Sequence, residues 1–138
     1  MSNHDVRDLS NELVVLSARL VRVVRRNDVG LPSATSRVLS LLDELGPATV
    51  SALAESDRCS QPTMTNLVKG LAEKGWVERT PHPADARSTL VGLSDAGRER
   101  LTEVRERNAA LVAGRTEAAG LSPSDLATTV AVLRELVS

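Results

Sequence analysis

Apolar residues recur every three or four positions along the first part of the chain, which is the spacing of one face of an α-helix. The members of this stripe are Val6, Leu9, Leu13, Leu16, Leu20 and Val23. The pattern predicts one long amphipathic helix that ends near Asn27 to Gly30, before a break at Leu31-Pro32-Ser33.

Three shorter helices are predicted next, each with its own start or stop signal. Gly46 stops the first, and Thr49 can cap the second. Ser60 fits the cap of the third, Pro62 suits its first turn, and Gly75 suits the left-handed position at its end. The predicted inward residues are Val38, Leu41, Leu42 and Leu45 in the first helix, Val50, Leu53 and Ala54 in the second, and Met64, Leu67, Val68 and Leu71 in the third.

Strand-like runs at residues 76–80 and 88–93 follow, on either side of a polar turn. Ser94 then caps a long charged helix that runs to about Thr116, and residues 121–126 carry a strong helix start signal with a serine cap and an acid in the first turn. The sequence therefore predicts a mainly α fold with six helices and one small β-hairpin.

The apolar stripes of the first and last helices are larger than a small central core can cover. The stripe of the last helix consists of Leu126, Val130, Leu133 and Val137. Apolar surface left in water costs roughly 25 cal/mol per Å². We therefore expect a second copy of the chain to cover these stripes, so that the terminal helices form a dimer interface.

The central order of helix, turn, helix and hairpin is that of a winged helix-turn-helix. The predicted outer face of the helix after Ser60 is polar, and side chains of this kind suit base edges in a major groove. An arginine at the tip of a hairpin, here Arg87, can reach an adjacent minor groove. An ordinary solvated helix face is the alternative for these polar residues.

Composition narrows the function classes. The chain has 138 residues, 41% hydrophobic and 25% charged, and a formal net charge of −1. This charge disfavours indiscriminate nucleic-acid binding, which depends on a broad basic surface. The absence of Phe and Tyr removes stacking platforms for single strands, so duplex DNA is the better partner. One cysteine and two histidines far apart predict no disulfide, metal site or cofactor.

Three pieces of sequence occur together in one order. They are Leu53-Ala54 with the run from Ser60 to Arg79, the wing motif Asp85-Ala86-Arg87-Ser88, and Leu93-Ser94-Asp95-Ala96-Gly97. In these pieces the chain resembles the MarR family of winged helix-turn-helix transcriptional regulators. The resemblance implies an N-terminal dimerisation helix at 1–30, a DNA-binding lobe at 31–93 and C-terminal dimerisation helices at 94–138, within one structural domain.

The resemblance further implies a homodimeric repressor that binds a pseudo-palindromic operator and leaves it when a small lipophilic or anionic effector binds. Half-site centres would lie about one helical turn, ~10 base pairs, apart. The expected DNA-binding residues are Ser60, Gln61, Pro62, Thr63, Thr65, Asn66, Lys69, Arg79, Asp85 and Arg87. The residues that bind the effector cannot be assigned from the sequence.

Several alternatives remain open. Cys59, next to the predicted recognition helix, could make the protein a redox-sensing repressor, or it could be a small residue that fills the turn. The fold could also serve an architectural DNA-binding protein without an effector, or a module that binds other proteins. An enzyme is disfavoured because neither histidine lies in a catalytic motif. The chain shows no signal peptide or membrane span, which predicts a cytoplasmic location.

Overall fold

The structure is a computed structural model that describes residues 2–26 and 32–138, so the predicted end of the first helix and Leu31 lie outside the described part. Its elements are, in chain order, α1 (Asn3–Arg25), α2 (Ser33–Leu45), α3 (Val50–Asp57), α4 (Gln61–Glu73), β1 (Val77–Pro81), β2 (Thr89–Leu93), α5 (Asp95–Ala118) and α6 (Pro123–Val137). Within the described residues these are the six helices and the single hairpin expected, so the predicted fold class is confirmed.

The chain divides into two compact units. The helical unit joins Met1–Asn27 to Glu106–Ser138, and the winged unit runs from Asp28 to Arg105. Helix α5 contributes residues to both units. The division into residues 1–30, 31–93 and 94–138 remains a prediction.

The winged unit has a hydrophobic core of its own. Its buried members, each at most 5% exposed, are Val38, Leu39, Leu42, Leu53, Ala54, Met64, Val68, Leu71, Val77, Val91 and Leu101. One expectation for α2 is wrong, because Leu45 is 47% exposed whereas Leu39 is 0% exposed. The buried face of α2 is centred between Val38, Leu39 and Leu42, so that Leu45 falls on its edge in the last turn.

The predicted helix starts are confirmed by their hydrogen bonds. Thr49 Oγ1 accepts from the backbone N–H of Ala52 at 3.1 Å, at the first turn of α3. At α6, Ser122 Oγ accepts from the N–H of Asp125 at 3.1 Å, and the Asp125 carboxylate accepts from the N–H of Ser122 at 2.8 Å. This reciprocal arrangement satisfies two amides that a helix start otherwise leaves unpaired.

Three helices end in the same hydrogen-bonded turn, in which the N–H of one left-handed residue reaches back three residues and the N–H of the next residue reaches back five. At the end of α4 the left-handed residue is Gly75, with φ 76°, and at the end of α5 it is Gly120, with φ 69°. At the end of α3 it is Arg58, with φ 55° and ψ 43°. For a residue with a Cβ this backbone conformation costs about 1–2 kcal/mol, whereas glycine adopts it freely.

The two strands of the hairpin match the predicted strands to within one residue at each end. β1 and β2 pair antiparallel, with Val77 opposite Leu93 and Pro81 opposite Thr89. Ala48 adds a bridge on the other side of β2, because its N–H and C=O both bond to Val91, at 2.9 and 2.8 Å. The sequence did not predict this bridge, since a single bridge has no periodic signal.

The start of α5 lies directly against the chain that precedes β1. Ser94 Oγ accepts from the N–H of Gly97 at 3.0 Å and donates to the carbonyl of Gly75 at 2.5 Å. A Cβ on Gly97 would lie 2.8 Å from the carbonyl carbon of Trp76 and closer still to its oxygen. Only glycine therefore fits at this approach of α5 to the backbone.

Asp43 on α2 fixes the first part of α5 by two ion pairs. Its carboxylate lies 3.2 Å from a guanidinium nitrogen of Arg98 and 2.9 Å from one of Arg105. The two arginines lie seven positions apart, which places them on the same face of α5. One carboxylate thus holds two turns of this helix within the winged unit.

Candidate nucleic-acid interface

Helix α4 has one buried face and one exposed polar face. Met64, Val68 and Leu71 are at most 2% exposed. The spacing of these apolar residues rotates the intervening positions outward. All the predicted DNA-binding residues of this helix are exposed, and they are Gln61, Pro62, Thr63, Thr65, Asn66 and Lys69. The fold therefore brings six of the ten expected site residues onto one helix without using any of them in the core.

The first turn of α4 is held by Ser60. Its Oγ accepts from the backbone N–H of Thr63 at 3.2 Å and donates to Thr63 Oγ1 at 2.8 Å. Pro62 lies in the first turn, where the N–H that it lacks has no partner within the helix. Ser60 is therefore both the expected cap and an exposed residue at the start of the polar face.

Gln61 is oriented by a neighbour that the sequence did not reveal. Its amide nitrogen donates to the hydroxyl of Ser51 on α3, although both side chains are exposed. This contact links the two helices of the helix-turn-helix at their outer surface. Two polar residues ten positions apart carry no signal that would have paired them.

The turn between α3 and α4 is fixed by a bidentate ion pair. Arg37 Nε lies 2.6 Å from one oxygen of Asp57 and Arg37 Nη2 lies 3.0 Å from the other. The Asp57 side chain is only 5% exposed. Its hydrogen bonds raise the pKa of Arg37 above the ordinary value. Sequence reasoning missed this pair because it joins different helices twenty positions apart.

Cys59 lies in the same turn. The side chain is half-buried and packs against the core of the winged unit, and its backbone N–H donates to the carbonyl of Ala54 at 3.0 Å. The structure thus gives Cys59 the packing role that was one of its two interpretations. Its sensitivity to oxidation remains a prediction.

The tip of the wing is organised by Asp85. One carboxylate oxygen accepts from the backbone N–H of Arg87 at 3.0 Å and lies 3.5 Å from Arg87 Nε. The Arg87 side chain is nevertheless 94% exposed. Arg79 is also exposed and lies on β1, opposite Val91. The wing therefore presents one exposed cationic side chain at its tip and a second one along its strand.

Comparisons with known proteins agree with this geometry. The MarR family model matches residues 31–89. An uncharacterized HTH-type transcriptional regulator of Mycobacterium bovis is 33% identical over 128 residues, which cover 91% of this chain and 89% of that protein. The chain belongs to the MarR family of HTH-type transcriptional regulators. This MarR family chain is therefore a DNA-binding regulator and not an enzyme.

Two further proteins are similar to this MarR family chain, one in sequence and one in fold. The HTH-type transcriptional repressor IacR of Pseudomonas putida is 33% identical over 85 residues, which are 62% of this chain and 50% of that protein. A MarR family protein of Bacillus stearothermophilus has the same fold, with a TM-score of 0.77 at 23% identity, over 99% of this chain and 95% of that one. The winged helix-turn-helix architecture is thereby confirmed.

The described residues hold neither a membrane-spanning helix nor a cluster of metal ligands. None of the helices, so far as they are described, is long and apolar enough to cross a membrane. Within residues 2–26 and 32–138, no three His, Cys, Asp or Glu side chains gather as a metal site would require.

Proposed function

We propose that this regulator is a homodimeric repressor that inserts α4 of each protomer into successive major grooves of a pseudo-palindromic operator. The observation that carries the proposal is that one unit presents both the exposed polar face of α4 and, at the tip of its wing, Arg87 with 94% of its side chain exposed. Two-fold symmetry then places the half-site centres about one helical turn, ~10 base pairs, apart.

Each exposed side chain has a role that its chemistry suits. Gln61 and Asn66 can bond an adenine edge with donor and acceptor together, and the methyl groups of Thr63 and Thr65 can meet thymine. Lys69 is a point charge suited to a phosphate. The remaining expected contacts are Ser60 and Pro62 at the helix start, Arg79 on β1, and Arg87 in the narrow minor groove with Asp85 orienting it.

The helical unit supports the dimer. Exposed fractions of its apolar side chains reach 53% at Leu9, 48% at Leu16 and 63% at Leu136, and α6 has no buried residue among those described. Contiguous apolar surface of this kind on a water-soluble fold marks an interaction site. The proposed cover is the same face of a second copy.

Release by a small anion is supported by a cavity of about 240 Å³ in the helical unit. It is lined by two aliphatic side chains, Val23 and Leu111, and by two arginines, Arg26 and Arg115. Aliphatic walls with two cations suit a small lipophilic carboxylate. The repressor name of the Pseudomonas putida relative supports the direction of regulation.

Two other functions are separated by the same experiment. An architectural protein without an effector would need a broad basic surface, which a net charge of −1 disfavours. A redox-sensing repressor would act through Cys59, whose place before α4 favours this second candidate.

The test is footprinting of the wild-type protein on the DNA around its own gene, repeated with benzoate, octanoate and hydrogen peroxide. A symmetric footprint that either carboxylate removes supports the proposal. Protection spread without sequence preference supports the architectural protein. Release by peroxide that disappears in Cys59→Ser supports the redox sensor. Absence of any footprint at low ionic strength overturns operator binding.

A further inference from the structure

The three helix ends that share one turn differ in the residue that takes the left-handed position. Gly75 and Gly120 occupy it after α4 and α5, whereas Arg58 occupies it after α3. Arg58 is the one non-glycine residue with a positive φ in the described part of the chain. The same chain therefore uses glycine at two of these turns and tolerates backbone strain at the third.

Nothing inside the winged unit explains this arginine. Its side chain is exposed and forms no hydrogen bond or ion pair with any residue that the structure describes. The neighbouring carboxylate of Asp57 is turned inward to Arg37. The turn makes two backbone hydrogen bonds, as the turns at Gly75 and Gly120 do, so these bonds explain the left-handed conformation but not the choice of arginine. An arginine that costs strain at this position and contacts nothing inside points to a role outside the protein.

The location of Arg58 identifies that role. It precedes Ser60, the cap of α4, by two residues, a separation of at most about 7 Å along the chain. When the N-terminal part of α4 enters a major groove, the residues before the cap lie along the sugar-phosphate edge of that groove. We propose that Arg58 binds a DNA phosphate beside each half-site and sets the depth at which α4 enters. This inference rests on the proposed DNA-binding function.

Phosphate binding and backbone strain predict opposite effects of one substitution. Arg58→Gly removes the charge and also the strain, so the thermal midpoint should rise by about 2–5 °C. The same variant should bind the footprinted duplex more weakly. Two lost phosphate contacts per dimer should flatten the slope of log K against log[salt] by about 1.8, which is about 30-fold weaker binding at 0.15 M salt if affinities are equal at 1 M.

Three matched variants separate charge from conformation. Arg58→Asn tolerates the left-handed region but is neutral, so it should lose affinity and salt dependence as Arg58→Gly does. Arg58→Lys keeps the charge and should bind within about threefold of the wild type. Arg107→Gln removes an exposed arginine from the helical unit and should leave the salt slope unchanged.

The outcomes are distinct for the two proposals. A wild type that binds the duplex, with Arg58→Gly and Arg58→Asn indistinguishable from it in affinity and slope, overturns the role of Arg58 alone. A flatter slope in Arg107→Gln equal to that in Arg58→Gly also overturns it, because the effect would then be one of total charge. A wild type that binds no duplex overturns the proposed function and this inference together.

Discussion

The winged unit buries its large apolar side chains, whereas the helical unit leaves many of its own exposed. In the winged unit Leu53, Met64 and Val68 are 0% exposed, so its helices and hairpin enclose a complete core within one chain. In the helical unit Leu9 is 53% exposed and Leu16 is 48% exposed. The core of one unit is complete within a single chain, whereas the other unit leaves apolar side chains exposed in a single chain.

This difference separates stability from assembly. Substitutions in the core of the winged unit should change the free energy of unfolding at any protein concentration. Substitutions on the exposed stripes of the helical unit should instead change the equilibrium between one copy and two, and their effect on stability should depend on concentration.

The largest effect is expected at Gly97, where α5 meets the backbone of the winged unit. Gly97→Ala would place a methyl group against the Trp76 carbonyl, which belongs to the backbone and cannot move as a side chain would. Forced overpacking of this kind should cost about 3 kcal/mol or more in the free energy of unfolding. Urea unfolding at two protein concentrations measures the loss, which should be equal at both.

Gly70→Ala is the matched control, since a Cβ there meets nothing within 4 Å and φ is ordinary for a helix. This variant should be as stable as the wild type or up to about 1 kcal/mol more stable, because alanine favours the helix. Equal destabilisation by both variants would contradict the close approach described at Gly97.

The second largest effect is expected in the helical unit, on dimerisation. Leu16→Glu places a charge in the middle of the α1 stripe, twice in a symmetric dimer, and should raise the dimer dissociation constant about 100-fold or more. Val14→Glu, at an exposed position outside the stripe, should raise it far less. Sedimentation equilibrium distinguishes the two. A Leu16→Glu protein that stays dimeric at submicromolar concentration would show that the stripe is not the interface.

Sequence patterns predicted local features better than contacts between elements. Helix starts at Thr49, Ser60 and Ser122 were predictable because each cap acts on amides two or three residues away. The pairing of Arg37 with Asp57 was not, because it depends on how two helices cross. The placement of Leu39 and Leu45 was mistaken for a related reason: the period of a helix gives its apolar side but not the width of the face that neighbouring elements cover.

The candidate site also has features that the sequence predicted and features that it did not. The polar face of α4 followed from periodicity, and the wing tip followed from the motif around Asp85 and Arg87. The contact of Gln61 with Ser51 and the left-handed Arg58 did not, because one depends on tertiary packing and the other places arginine where glycine is the usual residue.

A third prediction separates binding from both stability and assembly. Arg87→Ala should weaken operator binding by about 10- to 100-fold, because two minor-groove cations are lost from each dimer. Its thermal midpoint and dimer constant should not change, since the side chain is 94% exposed. A shift assay at fixed salt tests this, with Arg87→Lys as the control that retains charge. Unchanged affinity of Arg87→Ala would refute a DNA-binding wing tip.

The smallest effect is expected at Asp43, which holds α5 to α2 in the winged unit. The guanidinium of Arg105, and less strongly that of Arg98, lowers the pKa of this carboxyl below its ordinary value of about 3.9. A carboxyl whose pKa is lower in the folded state stabilises the fold above the unfolded pKa, and this contribution is lost as pH falls through the folded pKa.

Asp43→Asn should therefore lower the thermal midpoint by a few degrees at pH 7 and by less below pH 3. Glu44→Gln, which removes the adjacent exposed carboxyl of α2, should change neither value. Because the ion pairs are partly exposed, 0.5 M salt should reduce the difference between wild type and Asp43→Asn, and a difference that neither salt nor acid reduces would show that the ion pairs are not its cause.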